Sequence, residues 1–250
     1  MLQGRRVLVT GGSRGIGAVI VETLVREGAS VALHYARSEH AALAIQERLG
    51  SRVVAIQADL SQPGAARALW AATRDRFEAV DAVVLNAATF QAVPLTAPDD
   101  VWDQAWQRTL DVNLKSVADL MREALPHFQE RRAGIFVSIA SRAAFRGDDP
   151  ENLAYAASKG GMVAVTRSIA RAYARDGVLA YLIAPGFVRT EMAEQALTDP
   201  AVRARILAEI PMGEMAAPED VAEVTAFLVS GRAPHMTGAT LDINGASYVR

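Results

Sequence analysis

Short apolar runs rich in β-branched residues alternate along this chain with longer segments of helical period. The runs Val7–Thr10, Ser30–Tyr35, Arg52–Gln57, Asp81–Asn86, Gly134–Ile139, Leu179–Ala184 and Thr240–Ile243 predict strands. Helical patterns start between them, near Gly15, Glu39, Pro63, Asp99, Ala154 and Pro218. The strand runs are apolar at nearly every position instead of alternating, which is the mark of a sheet covered on both faces. Strand–helix alternation then predicts right-handed βαβ units. The expected fold is α/β, a Rossmann-type doubly wound parallel sheet of about seven strands with helices on both faces.

No repeat, low-complexity stretch or linker divides the chain, so residues 1–250 are expected to form a single dinucleotide-binding catalytic domain. The segment 187–213 breaks the rhythm. It is helical in composition, bracketed by Gly186 and Gly213, and follows the sixth strand, so it is expected to be a substrate-binding lid over the sheet's carboxyl edge.

Composition narrows the function classes. With 51% hydrophobic and 22% charged residues, there is enough apolar material for a large core. The net charge of −2, with 26 Lys and Arg spread along the chain, argues against a nucleic-acid partner. No apolar stretch approaches the roughly 20 residues needed to span a bilayer, and the first strand begins almost at Met1. No membrane association is therefore expected, and the cytoplasm is the expected compartment. The chain has no cysteine, which removes disulfides, thiolate metal sites and thiol nucleophiles. His34, His40, His127 and His235 show no ligand-like spacing, so no metal site is expected.

The first strand runs into Thr10-Gly11-Gly12-Ser13-Arg14-Gly15-Ile16-Gly17 and then into a helix. Glycines let such a turn approach a pyrophosphate closely, and the helix N-terminus offers free N–H groups and a favourable dipole. The end of the second strand selects the dinucleotide. Enzymes that bind NAD usually carry an acid there for the ribose hydroxyls, whereas arginine suits the 2′-phosphate of NADP. This chain reads Leu33-His34-Tyr35-Ala36-Arg37-Ser38. Arg14 and Arg37 are expected to pair with that phosphate and Ser38 to hydrogen-bond it, so NADPH is expected over NADH.

Tyr155 and Lys159 lie four residues apart on one helix face. A free phenol titrates near pKa ~10, too high for acid–base work at neutral pH. An ammonium about 4 Å away is worth up to ~4 kcal/mol at an effective dielectric of about 20, enough to lower that value by two or three units. Upstream, Ile135–Ser141 reads as a buried strand ending in a hydroxyl. Ser141 would open into the crevice at the carboxyl end of the sheet and hydrogen-bond a carbonyl oxygen gaining charge. Ser138, three residues deeper, is expected to satisfy local backbone groups.

With these motifs in order, the sequence resembles the short-chain dehydrogenase/reductase family over essentially its full length. The matching elements are the Thr10–Gly17 turn, Asp59-Leu60, Asn86-Ala87-Ala88, Asn113, Ser141, Tyr155 with Lys159, and the run Pro185-Gly186-Phe187-Val188-Arg189-Thr190. The resemblance implies that Tyr155 protonates the carbonyl oxygen as hydride arrives from the nicotinamide. Lys159 would lower the phenol's pKa and hold the nicotinamide ribose, Ser141 would polarise the substrate, and Asn113 would anchor a water-mediated proton relay. Gly11, Ser13, Gly15, Ile16 and Gly17 would cradle the phosphates. Asp59 and Leu60 would meet the adenine, Asn86 and Ala87 would lie along the cofactor, and Pro185, Gly186, Val188 and Thr190 would face the nicotinamide.

The subgroup most resembled is the 3-oxoacyl-(acyl-carrier-protein) reductases of fatty acid biosynthesis, which implies a small-molecule or carrier-bound keto substrate. Arg131, Arg132 and Arg171 are candidates for meeting an acidic carrier. Another small alcohol, sugar, steroid or pteridine is the alternative substrate, and a catalytically silent NADP-binding sensor or scaffold the remote one. The chain departs from the family's pattern at Ala88, at Tyr181, and in a Ser141–Tyr155 interval one residue longer than is common. In the family, the helix near Asp111–Glu123 and the one bearing Tyr155 build a subunit interface, so a homotetramer or homodimer is expected.

Overall fold

Alternate residues of the inner strands enter opposite cores, and this is why those segments are apolar nearly throughout. Val7, Val9, Val84, Val137 and Ile183 pack on one face of the sheet, whereas Leu8, Val83, Phe136 and Leu182 pack on the other. The computed structural model describes residues 1–190, 193 and 198–250. Its strands are β1 (Arg6–Val9), β2 (Ser30–Tyr35), β3 (Val53–Gln57), β4 (Ala82–Leu85), β5 (Gly134–Ile139), β6 (Val178–Pro185) and β7 (Thr240–Ile243). They form one parallel sheet in the order β3-β2-β1-β4-β5-β6-β7. The expected seven-stranded, doubly wound architecture is what folds. Strand order reverses between β1 and β4, and at such a point the helices diverge to opposite faces and leave a crevice.

The helices are α1 (Gly15–Arg26), α2 (Glu39–Leu49), α3 (Ala65–Arg76), α4 (Asp99–Leu110), α5 (Ser116–Arg131), α6 (Ala143–Arg146), α7 (Leu153–Tyr173), α8 (Pro200–Ala208) and α9 (Pro218–Val229). Helix α3 starts two residues after the expected Pro63, because Gly64 stands at φ +80° and cannot be its first helical residue. Helix α4 runs into α5 through a π-helical turn at Asp111–Lys115, a feature the apolar periodicity does not announce. Helices α8 and α9 each begin with a proline, whose missing N–H costs nothing at that position. The Asp199 carboxylate accepts from the Ala201 N–H at 2.8 Å, and the Asp220 carboxylate accepts from the Ala217 N–H at 3.1 Å.

Ile206 and Ile210 of the segment expected as a lid form a small separate core with Met215 just beyond it, and Phe187, Val202 and Leu207 pack against it. Glu191, Met192 and residues 194–197 of that segment lie outside the described residues.

Phe128 on α5 is fully buried, with its ring 5.0 Å from Phe136 and 6.2 Å from Trp70. It fixes α5 and α3 to the sheet. Phe128→Ala is expected to cost about 3–5 kcal/mol, read as a lower urea midpoint at unchanged slope.

Candidate active site

The glycine-rich turn closes because two of its residues lack side chains. Gly11 stands at φ +65°, and a Cβ on Gly17 would lie 2.0 Å from the Gly11 carbonyl oxygen. The neighbouring strand locks the turn in place. Asn86 Nδ2 donates to the carbonyls of Thr10 (2.9 Å) and Gly11 (3.0 Å), and Thr10 Oγ1 accepts from the N–H groups of Asn86 and Ala87. Helix α1 then starts at Gly15 with its N-terminus toward the crevice.

A cleft of about 620 Å³ opens there. Gly11, Ser13, Arg14, Gly15, Ile16, Gly17, Arg37, Ser38, Asp59, Leu60, Asn86, Ala87 and Thr190 all line it. Its charged lining is Arg14, Arg37, Arg108 and Asp59. Sequence reasoning missed Arg108, because nothing local marks one arginine of an amphipathic helix as facing a ligand; the fold of α4 brings it there. Hydrogen bonds from the Ser61 hydroxyl (2.7 Å) and N–H (3.1 Å) hold the Asp59 carboxyl below the usual range, and Arg108 and Arg37 add to this. No carboxylate among the described lining residues stands at the end of β2. The donor set, three arginines and a close-packed turn at a helix N-terminus, fits a dinucleotide with several phosphates. Tyr155, Lys159, Pro185, Gly186 and Val188, also expected along the cofactor, are not in this lining. Gly186 donates to the Ile243 carbonyl at 2.8 Å, and Val188 pairs with Ala216.

The residues expected to do the acid–base work assemble at the carboxyl end of β5. Lys159 on α7 is 2% exposed, and its ammonium donates to the Ile139 carbonyl at 2.8 Å. Ser141 follows two residues on. Its Oγ accepts from the Ala143 N–H at 3.1 Å and lies close to the Tyr155 hydroxyl, where hydrogen bonding favours the phenolate. The Lys159 Nζ lies 5.7 Å from the centre of the Tyr155 ring.

The expected lowering of the phenol does not occur in this geometry. Burial pushes Tyr155 up to about 12, against the Ser141 hydrogen bond, which favours the phenolate; the charge of Asp148 raises it further. Burial also pushes Lys159 down to about 7. The ammonium spends its short hydrogen bond on a main-chain carbonyl, so desolvation outweighs its attraction for the phenolate. Of the two groups, Lys159 is therefore the stronger acid.

Asn113 is fully buried in the π-helical turn, and its side chain is a brace. Its Oδ1 accepts from the Thr89 N–H, while its Nδ2 donates to the Thr89 carbonyl and to Ser158 Oγ. Ser158 Oγ in turn donates to the Tyr155 carbonyl at 2.7 Å. The amide thus ties the segment after β4 to the start of α7. Ser138 bonds Thr166 at 2.9 Å, inside the core, as expected of a structural hydroxyl.

Two neighbours of this cluster carried no readable signal of their role. Phe90 meets Tyr155 edge-on, 5.2 Å between ring centres, yet is 53% exposed. Arg142 is 5% exposed, lies 4.7 Å over the Phe187 ring, and reaches Glu209 at 3.4 Å; Arg146 reaches the same carboxylate at 3.6 Å. These contacts tie the loop after β5 to the end of α8. Arg131 and Arg132 precede the first residue of β5, at the sheet's amino edge, opposite Ser141. Arg131 is already engaged with Asp81 at 2.9 Å. Neither arginine borders this chain's own cleft.

Comparison with known proteins gives a consistent picture. The sequence model of a family described as Enoyl-(Acyl carrier protein) reductase matches residues 11–246. The chain is 34% identical to the 3-oxoacyl-[acyl-carrier-protein] reductase FabG of Escherichia coli (strain K12), over 99% of this chain and 98% of the relative. A solved 3-ketoacyl-(acyl-carrier-protein) reductase from Brucella melitensis, complexed with NADH, superposes with a TM-score of 0.89 at 27% identity, covering 100% of both chains. The solved structure of gox2181 superposes with a TM-score of 0.92 at 27% identity, covering 98% of this chain and 96% of that one. By its doubly wound parallel sheet, by the gathering of Ser141, Tyr155 and Lys159 at the carboxyl end of β5, and by these matches, the chain belongs to the short-chain dehydrogenase/reductase family, whose members are oxidoreductases acting on keto and hydroxyl groups.

Proposed function

We propose that the protein reduces the keto group of a 3-oxoacyl thioester with NADPH. The observation that carries this reading is the juxtaposition of the Ser141 and Tyr155 hydroxyls at the carboxyl end of β5, joined through Ser158 and Asn113 to Thr89 of the cleft lining. Reduction of a C=O bond places negative charge on oxygen, which two hydroxyl donors stabilise. A chain 34% identical and named for 3-oxoacyl reduction supports the same substrate class.

NADPH, when bound, supplies the hydride that attacks the carbonyl carbon. Tyr155 gives its proton to the carbonyl oxygen, and Ser141 hydrogen-bonds that oxygen as charge develops. A phenol held near 12 is still far more acidic than the alkoxide it protonates, so transfer runs downhill. The resulting phenolate recovers a proton from the side of Lys159, whose ammonium is the better acid. The Asn113 amide is committed to Thr89 and Ser158, so its part in any relay falls to its main chain in the π-helical turn. Arg14, Arg37 and Ser38 take the 2′-phosphate, Asp59 and Leu60 the adenosine, and Thr190 the carboxamide end. Phe187 and the described residues 198–213 cover the acyl group, with the Arg142–Glu209 pair holding them down. The enzyme acts in the cytoplasm as a homotetramer or homodimer.

A second reading, reduction of a pteridine or another small cyclic carbonyl, is favoured by one feature, the half-exposed Phe90 edge-on to Tyr155. Assaying acetoacetyl thioesters beside simple ketones, sugars and pterins separates the two, and turnover confined to pterins would replace the thioester reading.

Tyr155→Phe is expected to lower thioester reduction by about 10²–10⁴-fold while NADPH affinity changes less than about threefold, measured by steady-state assay and fluorescence titration. Equal loss of both would make Tyr155 structural. Arg37→Glu removes a charge-assisted contact and adds repulsion, so kcat/KM with NADPH should fall about 10- to 100-fold with little change for NADH. In the pH profile, Lys159 is charged below about pH 7 and neutral above it. Reductive kcat/KM should therefore fall as pH rises through that value, toward about tenfold per unit; a level profile to pH 9 would remove Lys159 from the proton path.

A further inference from the structure

His34 lies within β2, one of four histidines whose sequence spacing suggested no role. In the fold it is 2% exposed, and each ring nitrogen has its own partner. Nδ1 accepts from the Gly11 N–H at 3.0 Å, and Nε2 lies 2.9 Å from the Ala58 carbonyl. A main-chain N–H only donates and a carbonyl only accepts, so the ring is fixed as the neutral tautomer with its hydrogen on Nε2. The His34 main-chain carbonyl accepts a third bond, from the Gly12 N–H at 2.8 Å. One residue thus clasps two consecutive glycines of the turn and the residue directly before Asp59-Leu60, and it lines the same cleft.

We propose that His34 is a positioning residue for the dinucleotide, setting the separation between the glycine-rich turn that meets the pyrophosphate and the Asp59-Leu60 segment that meets the adenosine. This rests on the reading of the cleft as a dinucleotide site and adds to it the part that spaces its two halves. The ring itself needs no contact with the cofactor. Its work is done through Gly11, whose carbonyl also receives Asn86 Nδ2, and through Ala58, whose N–H donates to the Tyr35 carbonyl at 3.0 Å. Removing the ring frees the Gly11 N–H and the Ala58 carbonyl together. The turn is then anchored from the β4 side by Asn86 alone among these two side chains. Burial supports the arrangement chemically, because it holds the imidazole at about 4, so Nδ1 remains an acceptor at neutral pH.

Glutamine is the informative replacement, since its amide carries one acceptor and one donor, as the neutral ring does. Calorimetric binding of NADP⁺ and NAD⁺ to the full-length chain at pH 7.5 tests the proposal. His34→Leu is expected to weaken both about tenfold, because the clasp acts on the parts the two dinucleotides share, and His34→Gln is expected to stay within about threefold of the parent chain. Parent-like binding by His34→Leu would overturn the proposal. So would a folded His34→Gln chain, checked by circular dichroism, that binds as weakly as His34→Leu; if the leucine chain does not fold, the glutamine chain decides alone. Failure of the parent chain to bind either dinucleotide would instead overturn the reading of the cleft.

Discussion

One buried hydrogen bond organises the proposed acid–base cluster of this protein: the Lys159 ammonium donating to the Ile139 carbonyl at 2.8 Å. A charge withdrawn from water costs several kcal/mol unless it finds polar partners. The last carbonyl of β5 supplies one, and in doing so pins α7 to the end of that strand. Ser141 lies two residues beyond Ile139, and Tyr155 one helical turn before Lys159. The same bond that shelters the cation therefore brings the two hydroxyls into contact. The cost is visible in the cation itself, which burial leaves titrating at about 7. A group half-protonated near neutrality is well suited to passing protons.

Around this bond the molecule separates two tasks. The β1–β4 side of the crevice is built from main chain: close-packed glycines, an asparagine holding two carbonyls, and a helix N-terminus. Its charge comes from arginines on three separate elements, Arg14 on the turn, Arg37 after β2 and Arg108 on α4. The β5–β6 side is built from side chains, with Ser141, Tyr155, Phe90 and the Arg142–Phe187–Glu209 contact. Phosphate recognition needs many N–H groups in fixed directions, which main chain provides; recognition of a substrate body needs shape, which side chains provide.

Both tasks depend on braces that touch no reacting atom. Asn113 spends its whole amide on joining the segment after β4 to the start of α7, and the π-helical turn carries it to that depth. His34 does the same on the other side, between Gly11 and Ala58. In each case a fully committed buried polar side chain fixes the separation of two loops, which apolar packing alone would leave loosely specified.

The sequence by itself determined the strands, their burial on both faces, the glycine-rich turn and the helix pair of Tyr155 and Lys159. These follow from period, from apolar content and from residue types whose backbone needs are local, so neighbours along the chain suffice to decide them. Tertiary structure decided the rest. Arg108 reaches the cleft, Arg142 reaches Glu209, and Phe90 reaches Tyr155 across separations that no local pattern encodes. The direction of the pKa shifts was also decided there. Spacing alone places an ammonium near a phenol and predicts that the phenol is lowered, but burial is a property of the whole fold, and in this fold it outweighs the pair's attraction.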